Sequence, residues 1–234
     1  MHPKHPLQRL ASPARSASLV LHLAGIGSFI ASFVYLHRFP QMPGGSVGGN
    51  FQFLTILGLA LSLVTYALGA AADVTGATPL FAAKNVLAVC VAPLEVLVSL
   101  LYWSLQTIDP HLLYPPDLPA ELVLPVLPDV GFHLAPAVFL TLDLLLCSPP
   151  WTIHVQEALL LSLALACSYW AWIEYCFSHN GFYPYPIFQL LNTPQRILLF
   201  GFSAVLMTGC TVLLKRLYRM TNGEVVRRLA GKEE

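Results

Sequence analysis

Six apolar runs, each about twenty residues long and parted by stretches rich in proline, glycine or charge, leave this chain few ways to fold. A helix rising ~1.5 Å per residue needs about twenty residues to cross a hydrocarbon core of ~30 Å. In lipid every backbone amide and carbonyl needs an internal partner, which a helix supplies along its own length. The runs fall at about 16–37, 51–72, 83–107, 129–147, 153–177 and 196–218. The expected fold is all-α, a polytopic membrane bundle of six transmembrane helices. Composition agrees, with 56% apolar and 10% charged residues, against roughly 25% charged in an ordinary soluble domain. Twelve basic residues balance twelve acidic ones, so net charge points to no nucleic-acid partner.

The segments between the runs set the organisation. Residues 1–15 are polar and basic, with Pro3, Pro6 and Pro13 opposing regular structure, and read as a tail. The membrane domain follows at 16–218, then a charged tail at 219–234. The first run is too long for a signal-peptide core and lacks a small-x-small cleavage signal, so it reads as a retained anchor. Pro93 predicts a kink in the third run. The longest connection, 108–128, holds six prolines among Leu and Val, and is expected in the interface or over the bundle. Cys90, Cys147, Cys167, Cys176 and Cys210 all lie in apolar runs without disulfide or zinc spacing, which predicts free thiols.

Basic residues near span ends favour the cytoplasmic side. With six spans, Lys4, Arg9, Arg15, Lys84, Lys215, Arg216, Arg219, Arg227, Arg228 and Lys232 share one side, and only Arg38 and Arg196 the other. Both termini are therefore expected in the cytosol. The loops before Thr55, before Asp129 and after Phe177 then share the opposite face, an agreement that five spans would break.

Ionisable groups inside spans are costly and mark candidate function. Here they are His22, Glu95, His133, Asp143 and Glu174. Glu95 and Asp143 lie near mid-membrane, where bonding to a neighbouring helix and proton or ion relay are the competing roles. Thr55 stands about one turn into the second run, behind Gly48-Gly49 and Asn50, a residue able to cap a helix. Unpaired amides at such a helix start, with Gly49, Asn50 and Phe51 as candidates, suit an oxyanion. His133 stands about one turn into the fourth run from the same face, so the two should lie at similar depth. A threonine hydroxyl needs a base to become nucleophilic, and histidine is the usual base near neutral pH. Asp129, four residues before His133, shares its helical face and can orient the imidazole. Taken alone, Thr55 as readily bonds back to its own helix, and His133 as readily serves as a structural or ligand-binding group.

A set of landmarks bears on that choice. Gly48-Gly49-x-x-x-Phe53-Leu54-Thr55, Pro93, Trp103, Asp109, Tyr114-Pro115, Gly131-Phe132-His133, Gly181 and Tyr185-Pro186 occur in order along the chain. This ordered set resembles the androgen-induced gene 1 and androgen-dependent TFPI-regulating protein family. The resemblance implies a six-span threonine hydrolase cleaving fatty acid esters of hydroxy fatty acids, with Thr55 as nucleophile and His133 as base. The family usually reads Asn-His-x-Met-His-Thr at the histidine; here Asp129 replaces the Asn, Val130 the first His and Leu134 the Thr. Its Trp-Lys before Phe-Leu-Thr is here Phe51-Gln52, which removes a cation near the entrance.

The expectation is an endomembrane or plasma-membrane enzyme taking its lipid ester from the bilayer, with membrane lipids as its surroundings and no metal or organic cofactor. Asp129, Glu174 and His179 are candidates for a supporting third residue. The rival is a non-enzymatic transporter or lipid-binding regulator working through Glu95, Asp143 and Glu174. Paired interrupted helices and half-to-half similarity, frequent in transport folds, are not seen in the sequence.

Overall fold

The computed structural model describes residues 16–115 and 123–230, with side chains described as far as residue 223. The basic tail at 1–15, the middle of the long proline-rich connection and the last four residues of the charged tail lie outside the described residues. Among the described residues eight helices run in order: α1 (Ser16–Arg38), α2 (Leu54–Thr75), α3 (Thr78–Ile108), α4 (Val126–His133), α5 (Ala135–Cys147), α6 (Val155–Asn180), α7 (Ile187–Leu190) and α8 (Thr193–Ala230). Short 3₁₀ turns occupy Gly49–Gln52 and Pro110–Leu112. The charged segment expected as a tail after 218 continues α8, with a break in helical geometry at Asn222.

Five helices, α1, α2, α3, α6 and α8, are each long and apolar enough to cross a bilayer, and α4 with α5 makes a sixth crossing bent by 44°. A continuous fourth span over 129–147 is thus corrected to a broken one that begins at Val126. Pro136 has no amide proton to offer the carbonyl of Phe132, and its ring crowds that carbonyl. Leu134 leaves helical geometry at φ −129°. By contrast Pro93 sits within an α3 that remains helical throughout.

Lipid tails are as apolar as leucine, so helices in a bilayer associate through close packing and polar contacts. Both occur here. Gly25 on α1 leaves room for the Tyr66 ring and Gly69 on α2 for the His22 ring; a Cβ would come within 2.3 Å and 2.5 Å of them. Phe29, Leu59, Tyr66, Val91, Leu140 and Leu144 fill the space between α1, α2, α3 and α5. The α8 helix packs on α3 and α6. Val20, Leu23 and Ile30 of α1, with Ile197, Leu198 and Phe202 of α8, are left outward, as lipid-facing residues are.

Polar residues cluster where these four helices meet at the far end of α2 from Thr55. His22 Nδ1 lies 2.7 Å from Asp73 and its Nε2 3.1 Å from Asp143. Lys84 Nζ lies 2.5 Å from Asp143 and donates to Ser148 at 2.7 Å, while Ser18 donates to Asp73 at 2.6 Å. Two carboxylates therefore face one ammonium and an imidazole whose two nitrogens both meet carboxylate oxygens. With both nitrogens protonated the charges cancel, which suits a cluster taken wholly out of water. Glu95 is separate: it accepts from Ser62 at 2.8 Å and rests against Gly58. All five cysteines are free, as expected.

Candidate active site

The approach to Thr55 is built by α6. Gly48 has φ 81°, a left-handed conformation that costs a residue with a Cβ, and a Cβ there would come within 2.9 Å of both Trp172 and Cys176. Asn180 holds Val47 through both backbone groups, at 2.8 and 3.0 Å. Trp172 Nε1 donates to the Phe51 carbonyl and the Tyr169 hydroxyl to the Gln52 carbonyl, each at 2.9 Å. Gln52 is fully buried under this brace and does not face the cavity, so the missing cation is replaced by a packing residue.

Asn50 does not cap α2. Its side chain accepts from the amides of Gln41 and Met42, at 3.1 Å each, and folds the loop on itself. The turn at Gly49–Gln52 intervenes, and Phe53 becomes the residue before the helix. The amides of Gly49 and Phe51 donate to Ser46 and Gly48 carbonyls, which leaves them engaged in the turn. Ile56 and Leu57 both donate to the Phe53 carbonyl. Thr55, the second residue of α2, is buried there. The amides of Leu54 and Thr55, together with the Thr55 hydroxyl, interact with the hydroxyl of Tyr185.

His133 closes α4. Its Nδ1 lies 2.7 Å from Asp129 Oδ1, the i, i+4 contact that the spacing implied. Its ring lies flat on Tyr102, with centroids 3.4 Å apart and planes 5° from parallel. The Tyr102 hydroxyl in turn meets the Tyr114 hydroxyl at 2.7 Å. Burial pushes the Tyr114 phenol up to about 12, and the charge of Asp129 adds to the effect. Burial also raises the Tyr185 phenol, against the pull of Thr55 and the two amides.

Thr55 and His133 line one cavity, about 480 Å³ of atom-free space counted together with the open space at its mouth. Its remaining walls include Phe53, Ile56, Phe132 and Leu124, with Gln41, Tyr102, Tyr114 and Tyr185 as the polar-bearing members beside Thr55 and His133. With Nδ1 directed at Asp129, Nε2 of His133 is the nitrogen left to accept a proton. An apolar chamber holding a hydroxyl, an oriented imidazole and a helix start is equipped for acyl transfer.

The other supporting candidates lie elsewhere. Glu174 pairs with Arg196 at 3.0 Å and accepts from Tyr183 and Trp170, binding α6 to the start of α8 without lining the cavity. His179 is exposed and contacts Ser178 and the Tyr175 carbonyl. Among the described residues no group of three His, Cys, Asp or Glu side chains is arranged to hold a metal ion. Tyr102 and Tyr185 were not among the residues singled out from sequence. An aromatic in a helical run reads as packing, and the signal for Tyr185 was only its place in the Tyr-Pro landmark.

These features define a multi-pass α-helical membrane protein with a buried threonine–histidine pair in an apolar chamber. A model of the FAR-17a/AIG1-like protein family matches residues 17–219, and the chain belongs to that family, as the ordered landmarks implied. It is also 35% identical over 208 residues to a UPF0641 membrane protein of Schizosaccharomyces pombe, covering 88% of this chain and 92% of the relative. No solved structure matches the chain.

Proposed function

We propose that this protein is an integral membrane lipid-ester hydrolase in which Thr55 is the nucleophile, His133 the general base and Asp129 the residue that orients the imidazole. The observation that carries the reading is the 2.7 Å contact between His133 Nδ1 and Asp129, which leaves Nε2 as the nitrogen to take a proton in a residue that lines the same chamber as Thr55. His133 takes the proton from Thr55 Oγ1, and the oxygen attacks the ester carbonyl carbon. The tetrahedral oxyanion collapses, the carbon–alkoxide bond breaks, and the departing alkoxide takes the proton back from His133. Water, deprotonated by the same imidazole, then attacks the acyl-threonine and restores Thr55 with release of the acid.

Fatty acid esters of hydroxy fatty acids, the substrates implied by the family resemblance, suit an apolar chamber inside a membrane domain. Such an ester partitions into the bilayer and approaches between helices. The transport reading has no comparable support. Asp143 is held by Lys84, His22 and Ser148, Glu95 by Ser62, and Glu174 by Arg196. The test is fluorophosphonate labelling of the detergent-solubilised protein. Thr55→Ala should abolish labelling and His133→Ala reduce it to near background; equal labelling of wild type and Thr55→Ala removes Thr55 from the mechanism.

A further inference from the structure

We infer that the Tyr185 hydroxyl is a further catalytic group of this site, a hydrogen-bond donor to the substrate carbonyl oxygen as it becomes an oxyanion. The inference rests on the reading of Thr55 as nucleophile. It begins from backbone accounting. A helix start leaves amides without carbonyl partners. At α2 the Phe53 amide donates to Asn50, and Ile56 and Leu57 are served by Phe53. The amides of Leu54 and Thr55 turn instead to the Tyr185 hydroxyl, which also meets the Thr55 hydroxyl. The phenol therefore belongs to the start of the helix and to the cavity that the nucleophile lines.

The ring that carries this oxygen is fixed. Tyr185 stands between Pro184 and Pro186. Its ring meets Phe53 edge-on at 5.3 Å and Phe188 edge-on at 5.8 Å. Phe53 immediately precedes α2, so the phenol and the helix start are positioned by the same contact. Tyr185 also lines the chamber that Thr55 and His133 line. Burial keeps the phenol protonated through the neutral range, which makes it a donor and not a competing base.

The role involves no net proton transfer. As Thr55 Oγ1 bonds to the carbonyl carbon, the π electron pair moves onto the carbonyl oxygen. That oxygen accepts from the Tyr185 O–H, whose own oxygen stays held by the Leu54 and Thr55 amides. When the tetrahedral species collapses, the C=O bond re-forms, the alkoxide departs with the proton held by His133, and Tyr185 keeps its own. A donor aimed at developing charge acts on kcat, because it interacts more strongly with the transition state than with the ester.

The experiment follows hydrolysis of 4-methylumbelliferyl palmitate in detergent micelles by wild type, Tyr185→Phe and Thr55→Ala, with fluorophosphonate labelling alongside. Tyr185→Phe should lower kcat by ~10²-fold with KM within about twofold of wild type, since one oxyanion donor is lost. A kcat within twofold of wild type overturns the role of Tyr185 and leaves the Thr55 reading standing, provided Thr55→Ala is inactive. Wild-type labelling and turnover in Thr55→Ala overturn both. If Tyr185→Phe fails to yield folded protein, replacement of Tyr185 by 3,5-difluorotyrosine decides. Its more acidic phenol should move the alkaline limb of kcat to lower pH, and an unmoved limb overturns the inference.

Discussion

The imidazole of His133 lies face to face with the phenol ring of Tyr102, 3.4 Å between centroids and 5° from parallel, while Asp129 holds the ring's edge. Stacking and the edge contact constrain different motions: one keeps the ring from tipping, the other from spinning. Tyr102→Phe keeps the stack and loses the hydroxyl contact with Tyr114, so kcat should fall by less than ~5-fold. Tyr102→Ala removes the stacking surface, and ~10²-fold loss is expected, the scale of a 1 Å misplacement at a catalytic group. Ester turnover at saturating substrate separates the two; equal activity of both variants would show that Asp129 alone sets the ring.

Asp129→Asn installs the residue that the family resemblance implies at this position and tests what the carboxylate adds here. The Asn Oδ1 still accepts from Nδ1–H, so orientation survives, but the charge that favours the imidazolium in the transition state is gone. Turnover should drop by ~10-fold in Asp129→Asn and by more in Asp129→Ala, where nothing holds the edge. Unchanged turnover in Asp129→Ala would remove the carboxylate from the mechanism.

Gly48 carries a second dependence of the site on local backbone. Gly48→Ala places a Cβ within 2.9 Å of Trp172 and Cys176 at φ 81°, and costs ~1–3 kcal/mol through strain and overpacking. Because the strain falls on the turn that leads to Thr55, turnover should suffer more than folding. Circular dichroism in detergent should show the helical content of wild type, with turnover reduced at least ~10-fold. Full activity would mean that Trp172 yields without disturbing Thr55.

At the other end of α2, Asp143→Asn leaves Lys84 buried without its counter-charge, and the loss of a partner from a buried ion pair costs ~3–5 kcal/mol. The variant should show a lower Tm in detergent and a reduced yield of monodisperse protein, with unaltered specific activity in the fraction that folds. A wild-type Tm together with loss of ion flux in reconstituted vesicles would instead revive the transport reading.

The bundle was legible because hydropathy and length act locally: six runs, six crossings by the bent-pair count. The break at Leu134 was not, since hydropathy reads Val126 to Cys147 as one apolar stretch, whereas the Pro136 ring against the Phe132 carbonyl decides the geometry. Asp129 and His133 were legible from i, i+4 spacing alone. Of the backbone candidates Gly49, Asn50 and Phe51, the amides of Gly49 and Phe51 are engaged in the turn at Gly49–Gln52, which delays the helix start. Lys84 was counted among the charges of the basic face, yet it is fully buried against Asp143. A charge near a span end ordinarily meets water, and only tertiary contact supplies another partner. Tyr102 and Tyr185 reach the site from sequence-distant segments, a juxtaposition that no local pattern encodes.

Thr55 and Asp73 stand 18 residues apart on α2, as do Lys84 and Tyr102 on α3, so each helix sets ~27 Å between its chemical end and its ionic end. Substitutions so far apart, sharing no partner, have nearly independent effects. The ionic end can hold the assembly together while the chamber end changes wall by wall. A lineage of such proteins is thus free to vary the residues around Thr55 and His133, each trial carried by a scaffold whose integrity is secured on the other side of the bilayer.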